Sequence, residues 1–233
     1  MVRGPEAAFV VGAATREAVV RGSPSLIYAY CLDRTEVTTL AYSTCVESGA
    51  CTKPLKGGSC SFERAGAEQK PINCVSFAQA SAFCTQAAKR LPTEREWESA
   101  ASGGTRMYPW GAEPPGKLVC WDGAENALGH GNRHDSCDVG TFAGDKTPEG
   151  VMDLGGNLSE WTVSDENAAN AEPLSNPTSK ARPDLDQLQA RRGGSWGTKS
   201  GPYLLRNTSR RFADFKAYDT GIFTGFRCAT DLR

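Results

Sequence analysis

Nine cysteines in 233 residues constrain this chain more than any other feature: Cys31, Cys45, Cys51, Cys60, Cys74, Cys84, Cys120, Cys137 and Cys228. Cytosolic chains rarely carry so many without a metal motif, because cellular reductants keep thiols reduced. No C-x-x-C occurs, which sets aside zinc knuckles and thioredoxin-like redox pairs. Most neighbouring cysteines lie close enough in sequence for local, loop-closing bridges; the alternative is a set of buried free thiols. An odd count leaves at least one thiol unpaired, and Cys31 is the expected one. It sits in the alternating run Ile27-Tyr28-Ala29-Tyr30-Cys31-Leu32, which reads as a strand. Disulfides place the protein outside the reducing cytoplasm: periplasmic, cell-surface or extracellular. The N-terminus has neither the charged nor the apolar region of a signal peptide, so an export signal is expected outside these residues.

Composition narrows the class further. Hydrophobic residues make up 39% and charged residues 23%, enough for one cored domain over residues 1–233. The net charge is −1 and there is no Lys/Arg run, so nucleic acid is not an expected partner. No apolar stretch approaches the roughly 20 residues that span a bilayer. With 25 Gly and 13 Pro, the chain turns often and keeps little regular structure. One helix follows Glu36-Val37-Thr38-Thr39 and stops near Gly49. Ser76 with Gln79, and Thr93 with Glu96, are capping boxes that open two more. The first of these has the apolar face Phe77, Ala80, Cys84, Ala87 and Ala88; the second ends at Gly103-Gly104. Expected strands are Ala8–Gly12, Leu26–Leu32, Arg192–Trp196, Leu204–Thr208 and Gly225–Ala229. Residues 163–190 are polar and without period, so they read as a surface excursion. Trp97, Trp110 and Trp161 are expected core anchors, while Trp196 is open to a core or a binding role. The class is α+β.

Seven segments, in order, carry a family resemblance. They are residues 33–38 (Asp-Arg-Thr-Glu-Val-Thr), 71–77 (Pro-Ile-Asn-Cys-Val-Ser-Phe) and 90–98 (Arg-Leu-Pro-Thr-Glu-Arg-Glu-Trp-Glu). Then come 108–111 (Tyr-Pro-Trp-Gly), 150–161 (Gly-Val-Met-Asp-Leu-Gly-Gly-Asn-Leu-Ser-Glu-Trp), 192–196 (Arg-Gly-Gly-Ser-Trp) and 225–228 (Gly-Phe-Arg-Cys). From about Ala8 to Ala229 the chain resembles the formylglycine-generating enzyme family, the sulfatase-modifying factors. The resemblance implies a C-type-lectin-like fold, irregular and disulfide-stabilised, and a bridge from Cys84 to Cys228. Cys120 and Cys137 bracket a loop and make a second pair. The pairing among Cys31, Cys45, Cys51, Cys60 and Cys74 stays open.

The family's catalysts carry two redox-active cysteines after Gly-Gly-Ser, whose thiolates hold copper(I). Thr198 and Tyr203 stand at those places here, and no cysteine lies between Cys137 and Cys228. Copper is therefore not expected. Relatives that use histidine-bound iron point to His130, His134 and Asp135 as a metal site, against which stand ordinary solvated loop histidines. The resemblance also implies structural calcium, through Asn157 and Glu160 of the Gly-Asn-x-x-Glu-Trp segment. The alternative is a left-handed Asn and a Glu bonded to backbone. A further acidic group, Asn126, Asp135 and Asp138, lies in a loop unlike the family's.

Two functions follow. The first is an exported domain that binds a protein, small molecule or glycan through segment 196–224, by way of Trp196, Thr198, Lys199, Tyr203, Arg206, Arg210, Phe212, Phe215 and Tyr218. Aromatic and Arg side chains are what recognition hot spots use. The residue types of 198–224 also fit a variable protein of a diversity-generating retroelement. The second is an oxidoreductase related to the formylglycine-generating oxidase but with other metal ligands.

Overall fold

Each helix start in the sequence is a real cap in the computed structural model, which describes residues 8–11, 16–20, 23–27, 29–124, 129–131, 133–164, 189–199, 201–212 and 221–232. Helix α1 covers Thr39–Glu47, and the Thr38 side chain accepts the Ala41 N–H. Helix α2 covers Phe77–Gln86, with the full Ser76/Gln79 capping box. Helix α3 covers Glu94–Ser102, with the Thr93/Glu96 box at its start and left-handed Gly103 at its end. A hydroxyl and a carboxyl or amide here satisfy N–H groups that the helix itself cannot. The inner face of α2 is Phe77, Ala80 and Cys84, joined by Phe83. Ala87 and Ala88 do not belong to it. The helix stops at Gln86, Ala88 turns left-handed at φ 56°, and both alanines are exposed.

Among the described residues, three small sheets surround these helices. Strands β1 (Ala8–Val11), β4 (Tyr30–Asp33) and β9 (Ala229–Asp231) form an antiparallel sheet in the order β1-β4-β9, so the first and last described strands flank β4. Strands β2 (Arg16–Val20) and β3 (Ser23–Ile27) make a hairpin, and β2 lies against α3. Strands β5 (Ser159–Val163), β6 (Gln189–Arg192), β7 (Arg210–Phe212) and β8 (Thr224–Gly225) form the third sheet, order β7-β6-β5-β8.

Several expected strands differ. Leu26–Leu32 is two strands, β3 and β4, that pair with different partners. Arg192–Trp196 is not a strand: β6 ends at Arg192, where Gly193 at φ 78° turns the chain. Leu204–Thr208 is replaced by a 3-10 helix over Pro202–Leu205, because Pro202 presets a helical φ and has no N–H to give a sheet. Gly225–Ala229 divides into the ends of β8 and β9, in different sheets. β1 begins at Ala8 as expected, and Gly12 lies outside the described residues. So do residues 165–188, most of the proposed excursion; its flanks pair as β5 and β6.

The largest core cluster packs α1 and α2 against Ile72, Val75, Trp161 and Phe226. Phe226 meets Tyr42 and Phe83 edge-on, and Phe77 meets Trp161 likewise. A second cluster packs Trp97, Ala100 and Ala101 of α3 on Tyr30, Leu32 and Leu154. Trp97 and Trp161 are core anchors; Trp110 is only half-buried, stacked on Tyr108. Four disulfides cross-link the whole: Cys45–Cys51, Cys60–Cys74, Cys84–Cys228 and Cys120–Cys137. Cys31 is a buried free thiol in β4. Four bridges belong to an oxidising, exported environment. Among the described residues, no helix is long and apolar enough to cross a membrane.

Candidate functional site

The segment after β6 is held by backbone contacts that need glycine. A Cβ on Gly194 would overlap Leu205 and come within 2.8 Å of the Gly155 carbonyl. On Gly156 it would overlap Val119 and approach the Cys120 carbonyl at 2.6 Å. These two Gly-Gly turns therefore press together, and the Ser159 hydroxyl fastens them by donating to the Gly193 and Gly194 carbonyls at 3.1 and 3.2 Å. Next, the Trp196 N–H donates to the Asn157 carbonyl at 2.7 Å. Its indole N–H donates to the Ile222 carbonyl at 3.1 Å, and its ring lies 4.7 Å from that of Phe223.

The nine expected binding residues part into two sets and a remainder. Trp196 is 5% exposed and lies beneath Phe223, so it is an anchor. Thr198 is also buried: its hydroxyl accepts the Ser195 N–H at 3.1 Å and its carbonyl accepts the Gly123 N–H. Arg210 faces inward and pairs with Glu94 of α3, with a second donation to Ser164. These three are turned inward and support the segment. Lys199, Tyr203 and Arg206 are exposed, Tyr203 at 54%, and Phe223 joins them on the outside. The side chains of Phe212, Phe215 and Tyr218 lie outside the described residues. Under the outward set, Leu205 enters a cluster with Tyr108, Val119 and Trp121. Buried Asn207 donates to the Ala101 and Arg106 carbonyls. Exposed Met107 was missed by the sequence reading. Its carbonyl accepts the Asn207 N–H, a contact between segments 100 residues apart that no local pattern signals.

The proposed metal residues are engaged otherwise. Asn157 accepts the Cys137 N–H through Oδ1 at 2.9 Å and donates through Nδ2 to Glu36 at 3.1 Å. Glu160 receives both ends of the Arg227 guanidinium, at 2.7 and 2.8 Å, and the Trp97 indole N–H at 3.0 Å. A cation already faces this carboxylate, so the pair does not fit calcium. Asn157 does take the left-handed turn, at φ 60°. Asp135 pairs with Arg64 and Lys70. No three His, Cys, Asp or Glu side chains stand together as metal ligands among the described residues. Thr198 and Tyr203 offer no thiolate, so their positions do not fit copper(I) either. Asn126 lies outside the described residues.

A buried charge hub lies under the Gly155–Asn157 turn, and no sequence motif announced it as a unit. Glu36, Asp145, Asp153 and Glu160 are each no more than 2% exposed, and Arg227 is fully buried among them. Asp145 accepts the Gly155 and Gly156 N–H groups at 3.1 Å, and Asp153 accepts that of Gly140 at 2.6 Å. Burial, and then the Asp153 charge, push the Asp145 carboxyl up to about 8. Burial raises Asp153 too, and it raises Glu36 well above the usual carboxylate range, helped by Asp153 and Glu160.

Short helices, three small sheets, long loops and four bridges define a disulfide-stabilised α+β domain of the C-type-lectin-like, formylglycine-generating-enzyme kind. A family model described as the sulfatase-modifying factor enzyme 1-like domain matches residues 1–232, and the chain belongs to that family. It is 32% identical over 168 residues to the inactive C-alpha-formylglycine-generating enzyme 2 of Bos taurus, covering 69% of this chain and 50% of that protein. It is 33% identical over 175 residues to the formylglycine-generating enzyme of Thermomonospora curvata, covering 69% and 55%. The chain thus spans about half the length of the curated relatives it matches. In fold it is similar to Treponema denticola variable protein 1, with a TM-score of 0.64 at 19% identity over 96% of this chain and 94% of that one.

Proposed function

We propose that this is an exported binding domain on a formylglycine-generating-enzyme-like scaffold, taking a protein, glycan or small-molecule ligand through segment 196–224. The observation that carries it is the division of that segment into a locked base and an outward set. Trp196, Thr198, Leu205 and Asn207 are buried and hydrogen-bonded or packed, while Lys199, Tyr203, Arg206 and Phe223 face solvent. A rigid base lowers the entropy lost when outward side chains engage a partner. The two positions that would need thiolates hold Thr and Tyr, which supports binding over oxidation. A fold shared with a variable protein fits the narrower reading, a retroelement-diversified surface. In that case a near-copy of the DNA for this segment, differing mainly at adenines, stands beside a reverse transcriptase gene.

The test is a glycan and protein array probed with the wild type and with a Tyr203→Ala/Arg206→Ala double variant. Binding that the double variant loses at least tenfold supports the reading; equal binding by both sinks it. The second reading is an oxidoreductase with other metal ligands, favoured by similarity to a named formylglycine-generating enzyme. Stoichiometric copper or iron in the purified protein, with oxidation of a cysteine-containing peptide, would establish it instead.

A further inference from the structure

The charge hub holds four carboxyl groups and one guanidinium. An arginine has five N–H donors. Those of Arg227 are all used: two on Glu160, and one each on the Asp33, Arg34 and Met152 carbonyls. None is left for Asp145 or Asp153, which accept backbone N–H groups of Gly155, Gly156 and Gly140 instead. The charged and titratable groups around the two are Glu36 before α1, Glu160 of β5 and Arg227 before β9, with Arg34 touching the Met152 sulfur nearby. These neighbours do not neutralise two more buried anions: Glu36 and Glu160 are acids, Arg227 is committed to Glu160, and Arg34 donates to the Met152 sulfur. Taking an unpaired carboxylate out of water is so costly that the group keeps its proton instead.

We propose that Asp145 and Asp153 form a proton-holding switch beneath the Gly155–Asn157 turn, so that the fold is firmest at mildly acid pH and loosens as the pH rises. The coupling to the surface is short. Asp145 holds the Gly155 and Gly156 N–H groups, Gly155 faces Gly194, and the Asn157 carbonyl holds the Trp196 N–H. The inference concerns stability and stands whatever the protein binds.

The direction is fixed by linkage. A carboxyl whose folded pKa lies above its unfolded value adds stability that is full below the unfolded pKa and lost as pH rises through the folded one. For Asp145 that window runs from its ordinary 3.8 to about 8. Partly buried His130 is shifted downward, by burial and then by Arg133, so its titration favours the fold as pH rises and cannot imitate this loss.

Thermal unfolding of the full, disulfide-bonded chain from pH 5 to pH 8 tests it. The melting temperature should fall by roughly 5–10 °C, and Asp145→Asn or Asp153→Asn should at least halve that slope. Calorimetric unfolding of the wild type at pH 7, in two buffers of different ionisation enthalpy, should release about one proton. That measurement decides the matter even if neither variant folds. A flat or rising melting temperature, a slope kept intact in both variants, or no proton released would overturn the proposal.

Discussion

Trp196 and Tyr203 are two aromatic residues seven positions apart in one segment, and they do opposite work. Trp196 spends its indole N–H on the Ile222 carbonyl and its ring on Phe223. Tyr203 rides the outside of the 3-10 helix. Trp196→Ala should therefore cost about 3–5 kcal/mol, the range for a truncated core aromatic. Tyr203→Ala should change stability by no more than about 0.5 kcal/mol. Urea unfolding of both variants checks this, and similar losses from the two would undo the inside–outside assignment. The sequence offered both residues as contacts, because residue type alone says nothing of which face a loop presents. Thr198 was legible only in part. That it is no thiolate follows from the sequence. That its hydroxyl closes a turn on Ser195 needed the backbone path. Arg210 reads as a surface cation until Glu94 is found beside it.

At the scale of elements, legibility followed how local the signal is. Capping boxes act over three residues, and both stood where the sequence put them. Ser76→Ala should remove about 1 kcal/mol. Thr93→Ala should remove more than that, since Glu96 also pairs with Arg90 in the same box. Comparing the two in chemical denaturation tests whether the ion pair adds to the cap. The strands were less legible. Two of them, β8 and β9, are two and three residues long, too short for an alternating pattern to register. They exist because non-local partners, β5 and β4, offer hydrogen bonds. Leu204 and Leu205 looked like strand because they are apolar and adjacent; Pro202 made that stretch a 3-10 turn. The inner face of α2 was overextended by a turn because alanine is equally at home in a helix and past its end.

At the scale of the whole molecule, the bridges differ widely in reach. Cys84–Cys228 closes 144 residues and joins α2 to the start of the last strand, β9, whereas Cys45–Cys51 closes six at the end of α1. By chain entropy the first stabilises by about 5 kcal/mol and the second by about 2 kcal/mol. Replacing both members of each pair by Ala should thus lower the melting temperature more than twice as far for 84/228, as differential scanning calorimetry would show. The amino-acid sequence by itself determined the disulfide-rich α+β class, the helix starts and the family, because each is written in local spacing or in residues kept in order. It also determined that the thiolate pair is missing. Only the tertiary structure decided which described side chains of 196–224 face outward, that Asn157 bonds Cys137 and Glu36 while Glu160 pairs with Arg227, and that three further acids are buried around that pair. The reason is physical. Glu36, Asp145, Asp153, Glu160 and Arg227 come from five separate segments, and the cost of burying them together exists only once the fold has removed the water between them.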